Sequence, residues 1–188
     1  REDRLFLMDG DALIIPQQRL VWILAQIKER LPQVKRVGTY ANVKSIKLKS
    51  QAELEQLRRL NLSILHYGVE TGDDEIREAI RKGSTAAACI EAGRKVKEAG
   101  IQVWATVLLG IGGREASLRH ARATGQLLSS MDPDFVGALT VMLIPETPLY
   151  QDFINGAFNL PDQTGLLPAP GPDRVDLPVD HVVGQTVF

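Results

Sequence analysis

In Leu65-His66-Tyr67-Gly68-Val69-Glu70-Thr71-Gly72-Asp73-Asp74 a strand-like run breaks at a carboxylate and restarts as a helix. Ser63 to Val69 is β-branched and aromatic enough to predict a short strand. Gly72 and Asp73 then supply turn and helix-start chemistry ahead of Ile76, Ala79 and Ile80. Glu70 is left as a lone carboxylate at the strand's end. In a barrel or open sheet of parallel strands, that end is where ligands bind, because the strand-to-helix loops converge there.

The same alternation recurs on both sides of this stretch. Upstream, Leu5 to Met8 is a short apolar run followed by the turn-prone Asp9-Gly10-Asp11. Pro16 precedes a helical stripe of Leu20, Ile23, Leu24, Ile27 and Leu31 that Pro32 ends. Arg36 to Tyr40 predicts a second strand, and Lys44 to Lys49 reads as less regular. Ser50 and Glu53 form a capping box for a helix carrying Leu54, Leu57 and Leu60 inward. Downstream, Lys82-Gly83 marks a stop, Thr85 caps a helix to about Ala99, and Gly100 suits a left-handed C-terminal cap. Ile101 to Leu109 is continuous and apolar enough to predict a parallel strand buried on both faces. It runs into Gly110-Ile111-Gly112-Gly113, a helix from Glu115 to about Ser130, and a strand from Phe135 to Met142. Thr147-Pro148 has the form of a cap followed by proline at the first helical position.

Strand starts near Leu5, Arg36, Ser63, Ile101 and Phe135 thus recur about every thirty residues, the length of one βαβ unit. Five such units predict an α/β fold, part of a βα barrel. An open doubly wound sheet is the alternative that periodicity alone does not separate. The barrel domain is expected over residues 1–158. From Asn159 the prolines at 161, 168, 170, 172 and 178, with Gly165 and Gly171, predict an irregular tail over 159–188.

Composition narrows the function classes. With 44% hydrophobic and 24% charged residues the chain can build one main core. A net charge of -1 gives no general attraction to nucleic acid or anionic membranes. The single cysteine, Cys89, excludes an internal disulfide framework and a cysteine metal cluster within these residues, and fits a reducing, cytoplasmic compartment. No apolar run approaches the roughly 18 residues of a membrane span. Arg1-Glu2-Asp3-Arg4 lacks the shape of a signal peptide, and a first residue other than Met predicts a fragment.

The strand ends collect Asp9-Gly10-Asp11, Asn42, Glu70-Thr71-Gly72, Gly110 to Glu115 and Pro145-Glu146-Thr147 on one face. This set of acceptors and glycines suits a ligand with an amine, vicinal hydroxyls and a flat ring. Glu70 can accept two hydroxyl protons, as from a ribose diol, and Asp9 or Asp11 can accept from an ammonium group. Gly110, Gly112 and Gly113 let backbone approach a ring with no Cβ in the way. Each group also has a plainer reading. Glu70 could sit near the next helix's N-terminal dipole, Asp9 and Asp11 could be turn formers, and the glycines could serve any tight turn or a phosphate site. His66 shares a strand face with Glu70 and reads as packing; Cys89 reads as a small buried residue, and Trp22 and Trp104 as core. His120 and His181 have no companions. Lys28, Arg30, Arg94, Lys95 and Lys97 read as solvated helix faces.

Three segments in order, Asp9-Gly10-Asp11-Ala12, Tyr67-Gly68-Val69-Glu70-Thr71-Gly72-Asp73-Asp74 and Leu109-Gly110-Ile111-Gly112-Gly113, resemble the radical S-adenosylmethionine enzymes over Leu5 to about Phe158. Ile144 to Leu149 resembles the loop after the last strand in related enzymes. The resemblance implies a partial six-fold βα barrel of TIM type, (β/α)6, that binds S-adenosylmethionine beside a 4Fe-4S cluster and cleaves it reductively to a 5'-deoxyadenosyl radical, with an electron donor as partner and an unidentified small-molecule substrate. It assigns Asp9, Gly10 and Asp11 to the methionine amino group, Glu70 to the ribose, Lys82 to the methionine carboxylate, and Gly110, Gly112 and Gly113 to the adenine. The family's three cluster cysteines, spaced Cys-x3-Cys-x2-Cys, are absent here, so the fragment alone is expected to be inactive and truncated upstream of Leu5. Alternatives from other classes are a non-catalytic nucleotide-binding or regulatory βα domain, or a phosphate-binding barrel enzyme.

Overall fold

The computed structural model describes residues 3–8, 10–161 and 182–184. Parallel strands β1 (Arg4–Leu7), β2 (Arg36–Ala41), β3 (Leu62–Glu70), β4 (Gln102–Leu109), β5 (Phe135–Thr140) and β6 (Val182–Gly184) form one sheet whose spatial order follows the chain order. A doubly wound sheet reverses its order at a switch point. This sheet never reverses, and with crossovers of one hand the helices fall on one face, as in a partial barrel. The burial pattern agrees. Leu65, Tyr67 and Val69 on β3, and Val103, Ala105 and Val107 on β4, are buried, while their alternating neighbours are only half buried. The expectation that the fourth strand would be buried on both faces is therefore corrected: helices cover one face and the other is a concave surface.

Local chemistry sets the helices. α1 (Gln17–Arg30) buries Leu20 and Leu24; α3 (Gln51–Arg59) starts at the Ser50–Glu53 capping box and buries Leu54 and Leu57. Between them lies α2 (Val43–Lys47), in the segment read as less regular. Asn42 caps it reciprocally with Ser45, which stabilises a helix too short to show periodicity. Asn42 is thus a helix cap at its strand end. α4 (Asp74–Ala79) is capped by Asp73, and α5 (Ala86–Glu98) by Thr85, with Gly100 at φ +75° after it. α6 (Ser117–Met131) begins after a run of turns and ends at left-handed Asp132. α7 (Pro148–Ile154) has Thr147 as cap and proline in its first turn.

The main core joins Leu20, Leu24, Leu54, Leu57, Leu65, Cys89, Val96 and Leu127 between the helices and the covered sheet face. Trp22 is not part of it; it is 64% exposed, on the outer side of α1, which corrects its reading as core. Several cations read as solvated also pin helices to the C-terminal ends of their neighbours: Lys28 donates to the Arg59 carbonyl, Arg94 to that of Ser130, and Lys97 to that of Asp132. Of the expected irregular tail, residues 162–181 and 185–188 lie outside the described residues, and Val182–Gly184 pairs with β5.

Gly72 shows how closely α6 approaches the end of β3. A Cβ there would stand 2.2 Å from the Ala123 carbonyl oxygen and 2.8 Å from Thr124 Cα. Gly72→Ala would meet rigid backbone and is expected to destabilise the protein by about 1–3 kcal/mol. Urea unfolding of the two proteins, compared at equal m-value, checks this.

Candidate functional site

Glu70 ends β3 in a tight reversal. The Thr71 N–H donates to the Val69 carbonyl at 2.8 Å across Glu70, whose φ is +63°. This is a γ-turn of the positive-φ kind. A left-handed conformation in a residue with a Cβ costs on the order of 1–3 kcal/mol and persists only where the surroundings enforce it. Those surroundings are on the page. Arg77, 1% exposed, donates from Nη1 to the carbonyls of Val69 (2.9 Å) and Thr71 (2.8 Å), and from Nε and Nη2 to the carbonyl and hydroxyl of Ser84. The β3–β4 register shifts between Gly68 and Glu70, so the strand bulges where the carboxylate emerges.

Gly68 makes room for that carboxylate. A Cβ at 68 would lie 2.6 Å from Glu70 Oε1 and 3.2 Å from Lys82 Nζ. Lys82 donates to Glu70 Oε1 at 2.8 Å, and both side chains are about one-fifth exposed, at 23% and 19%. The structure therefore brings together two of the residues singled out from sequence, as an ion pair at the C-terminal end of the parallel strands.

His120 from α6 braces the turn. Its Nδ1 lies 2.8 Å from Thr71 Oγ1 and 3.3 Å from Thr124 Oγ1, and its ring also bonds the Leu108 carbonyl. The Thr71 hydroxyl accepts from Asp73 N–H, and the Thr124 hydroxyl from Gly72 N–H. Asp73 in turn accepts from the N–H groups of Glu75 and Ile76 and pairs with Arg119 Nε at 2.7 Å. Arg77 and His120 were not found as site residues from sequence, because neither spacing nor composition marks a buried guanidinium or a bracing imidazole.

At the end of β1, Asp11 Oδ1 accepts from Leu13 N–H and caps a 3-10 turn over Ala12–Ile14, while Oδ2 is buried without a partner among the described residues. Gly10 is exposed at φ +77°, and Asp9 lies outside the described residues. Two strand spacings separate β1 from β3, about 10 Å. At the end of β4, Gly110 and Gly113 have positive φ and Gly113 N–H closes onto the Gly110 carbonyl. A Cβ at Gly112 would meet Ile76 Cδ1 at 2.9 Å and His120 Cβ at 3.2 Å. The Asn159 carbonyl accepts from Arg114 N–H, so the chain at 158–161 lies along this loop. Tight packing within the protein already requires glycine here.

The concave face below the ion pair carries an aromatic row. Tyr40, His66, Trp104 and Phe135 stand in register on β2 to β5, with Phe6 beside them. His66 stacks on Trp104 at 5.0 Å and 6°, and burial lowers its pKa. This places His66 on the interior face and in a packed role. Burial also raises the Tyr67 and Cys89 pKa values, and the Tyr67 hydroxyl donates to the Cys89 carbonyl. Cys89 is thus a buried neutral thiol. Among the described residues no group of three or more His, Cys, Asp or Glu is placed to hold a metal ion, and no helix is long and apolar enough to cross a membrane.

Burial also lowers the His120 pKa, against the nearby Asp73 charge and the Leu108 bond. The folded state then binds fewer protons than the unfolded chain, whose imidazole titrates near pH 6.5. The stabilisation is fully present above that value and is lost as pH falls below it. Unfolding midpoints in urea should drop between pH 7.5 and pH 5.5, and His120→Gln should flatten that drop; an unchanged slope would place the titration elsewhere.

The sequence model of the Radical SAM superfamily matches residues 2–127. No curated protein sequence matches the chain. Among solved structures, Elp3 of the archaeon Methanocaldococcus infernus, with an N-terminal deletion, superposes with a TM-score of 0.68 at 17% identity, over 87% of this chain and 42% of that one. Coproporphyrinogen III oxidase (HemN) from Escherichia coli, a radical SAM enzyme, gives 0.66 at 14% identity over 87% and 37%. Methylornithine synthase (PylB) gives 0.60 at 22% identity over 78% and 40%. At these identities the likeness is one of fold, and the chain spans about two-fifths of each of these structures.

Proposed function

Since this chain belongs to the radical SAM superfamily, we propose that it is the part of a radical SAM enzyme that holds S-adenosylmethionine, with the Glu70–Lys82 pair at the centre of the site. The observation that carries this reading is the Glu70 carboxylate, turned out on a strained reversal at the ligand end of β3 and given space by the bare backbone of Gly68.

The donor set suits the cofactor's chemistry. S-adenosylmethionine offers a ribose diol, an α-amino group, an α-carboxylate and a flat adenine. Glu70 accepts from the diol, and Lys82 donates to the carboxylate. Asp11, whose buried Oδ2 has no partner among the described residues, accepts from the amino group together with Asp9 and Gly10. Gly110, Gly112 and Gly113 offer backbone to the adenine. The 4Fe-4S cluster is a different case. The sequence has one cysteine, and Cys89 is buried with its thiol kept neutral, so these residues do not fit the cluster. The reading therefore takes the cluster's thiolates from outside these 188 residues, and an electron donor as partner. A cluster held there would supply the electron for reductive cleavage of S-adenosylmethionine. Substrate choice belongs to the site as a whole and not to the fold.

The test uses full-length protein after anaerobic reconstitution with iron and sulfide. Glu70→Gln keeps the shape and removes the charge that strengthens two hydroxyl hydrogen bonds. S-adenosylmethionine affinity is expected to fall about 10- to 100-fold, with the unfolding midpoint nearly unchanged. Release of 5'-deoxyadenosine under a strong reductant should fall with it at subsaturating cofactor. An unaltered affinity would refute the ribose assignment.

A further inference from the structure

We infer that Arg77 is a positioning residue for the cofactor site, setting the direction of the Glu70 carboxylate and its spacing from Lys82 without touching ligand. This rests on the reading of Glu70 as a ribose contact. Arg77 is fully buried, and its acceptors, the carbonyls of Val69, Thr71 and Ser84 and the Ser84 hydroxyl, are all uncharged. Burying a guanidinium against neutral oxygens is unfavourable unless its donors are hydrogen-bonded. Here four of its five N–H donors are bonded, on two segments at once.

The first segment is the reversal at the end of β3. Val69 and Thr71 flank Glu70, and one nitrogen, Nη1, draws both their carbonyls to the same point. That convergence closes the γ-turn and fixes the φ of +63° that sends the carboxylate back over Gly68. The second segment follows α4. Lys82 N–H donates to the Arg77 carbonyl, and Ser84 is held by the other two guanidinium nitrogens, so the chain on both sides of Lys82 Nζ is tied to the same residue. Arg77 thereby sets both ends of the 2.8 Å pair. Lysine lacks the planar fork and can reach only part of this acceptor set.

A double-mutant cycle separates positioning from bulk stability. The full-length reconstituted protein is prepared as wild type, Arg77→Lys, Glu70→Gln and the double variant, and the Kd for S-adenosylhomocysteine, which is not cleaved, is measured with the unfolding midpoint. Arg77→Lys is expected to raise Kd about tenfold in the wild-type background and less than about threefold once Glu70 is Gln, because a residue acting through Glu70 couples to it. Equal fold-changes in the two backgrounds, or no change in either, would overturn the inference. Glu70→Gln with unaltered Kd would instead overturn the ribose reading on which it rests. Should Arg77→Lys fail to fold, Ser84→Ala, which loosens the grip and leaves the guanidinium its carbonyls, must show the same dependence on background; an additive effect there also refutes the role.

Discussion

Two carbonyl oxygens, those of Val69 and Thr71, converge on one buried guanidinium, and the rest of the site follows from that constraint. A parallel strand leaving the sheet would ordinarily carry its last side chain outward along the loop. Here the chain is pinched behind Glu70, and the carboxylate folds back over the strand. Each position of the Tyr67–Asp74 stretch then has a physical task. Tyr67 bonds the Cys89 carbonyl beneath the sheet, and Gly68 leaves space for the carboxylate. Thr71 and Gly72 engage His120 and Thr124 of α6, and Asp73 caps α4. Asp74 Oδ1 accepts from Ala86 N–H at the start of α5. The motif is therefore a junction of four elements, with the Glu70 carboxylate turned back over the strand and paired with Lys82.

The singly wound sheet explains why that residue faces a concave surface. With helices on one side only, alternate strand residues divide into a core set and a cavity set. Tyr40, His66, Trp104 and Phe135 share one level of the cavity side, and Gly68, Thr106 and Gly137 share a higher level. Large rings fill the lower level and small residues keep the upper one shallow. Trp104 leans over Gly137, where a Cβ would lie 2.6 Å from its Nε1. The ion pair sits over the small residues, at the end where ligands of such folds collect.

Element order, the Ser50–Glu53 capping box and the prominence of Glu70 were legible because they depend on local chemistry: a Ser three residues before a Glu, a glycine after a helix, a carboxylate after a β-branched run. Burial on the sheet's open face was not legible. Leu108 and Trp104 look like core in any hydropathy pattern, and only the winding of the sheet puts them on the exposed side. Arg77 was hidden for a related reason. It stands on α4 between Glu75 and Glu78, where a surface cation is the ordinary expectation, and its acceptors come from segments on both sides of that helix. His120 had no sequence companion, since its partners Thr71 and Leu108 are 49 and 12 residues away in the chain. Trp22 misled in the opposite sense. Its neighbours Leu20 and Leu24 set the stripe, and position 22 falls on the other side of the helix.

The Glu70–Lys82 pair keeps about one-fifth of each side chain exposed, so solvent partly screens it. On the proposed reading Lys82 would exchange Glu70 for the ligand's carboxylate. What cannot change cheaply is the backbone beneath it. The strained turn, the unsubstituted position 68 and the buried guanidinium are all in place before any ligand arrives. Preorganisation of this kind lowers the ordering cost of binding. On the proposed reading, selectivity for a diol beside a carboxylate would thus be set by main-chain geometry, with the side-chain charges as its movable part.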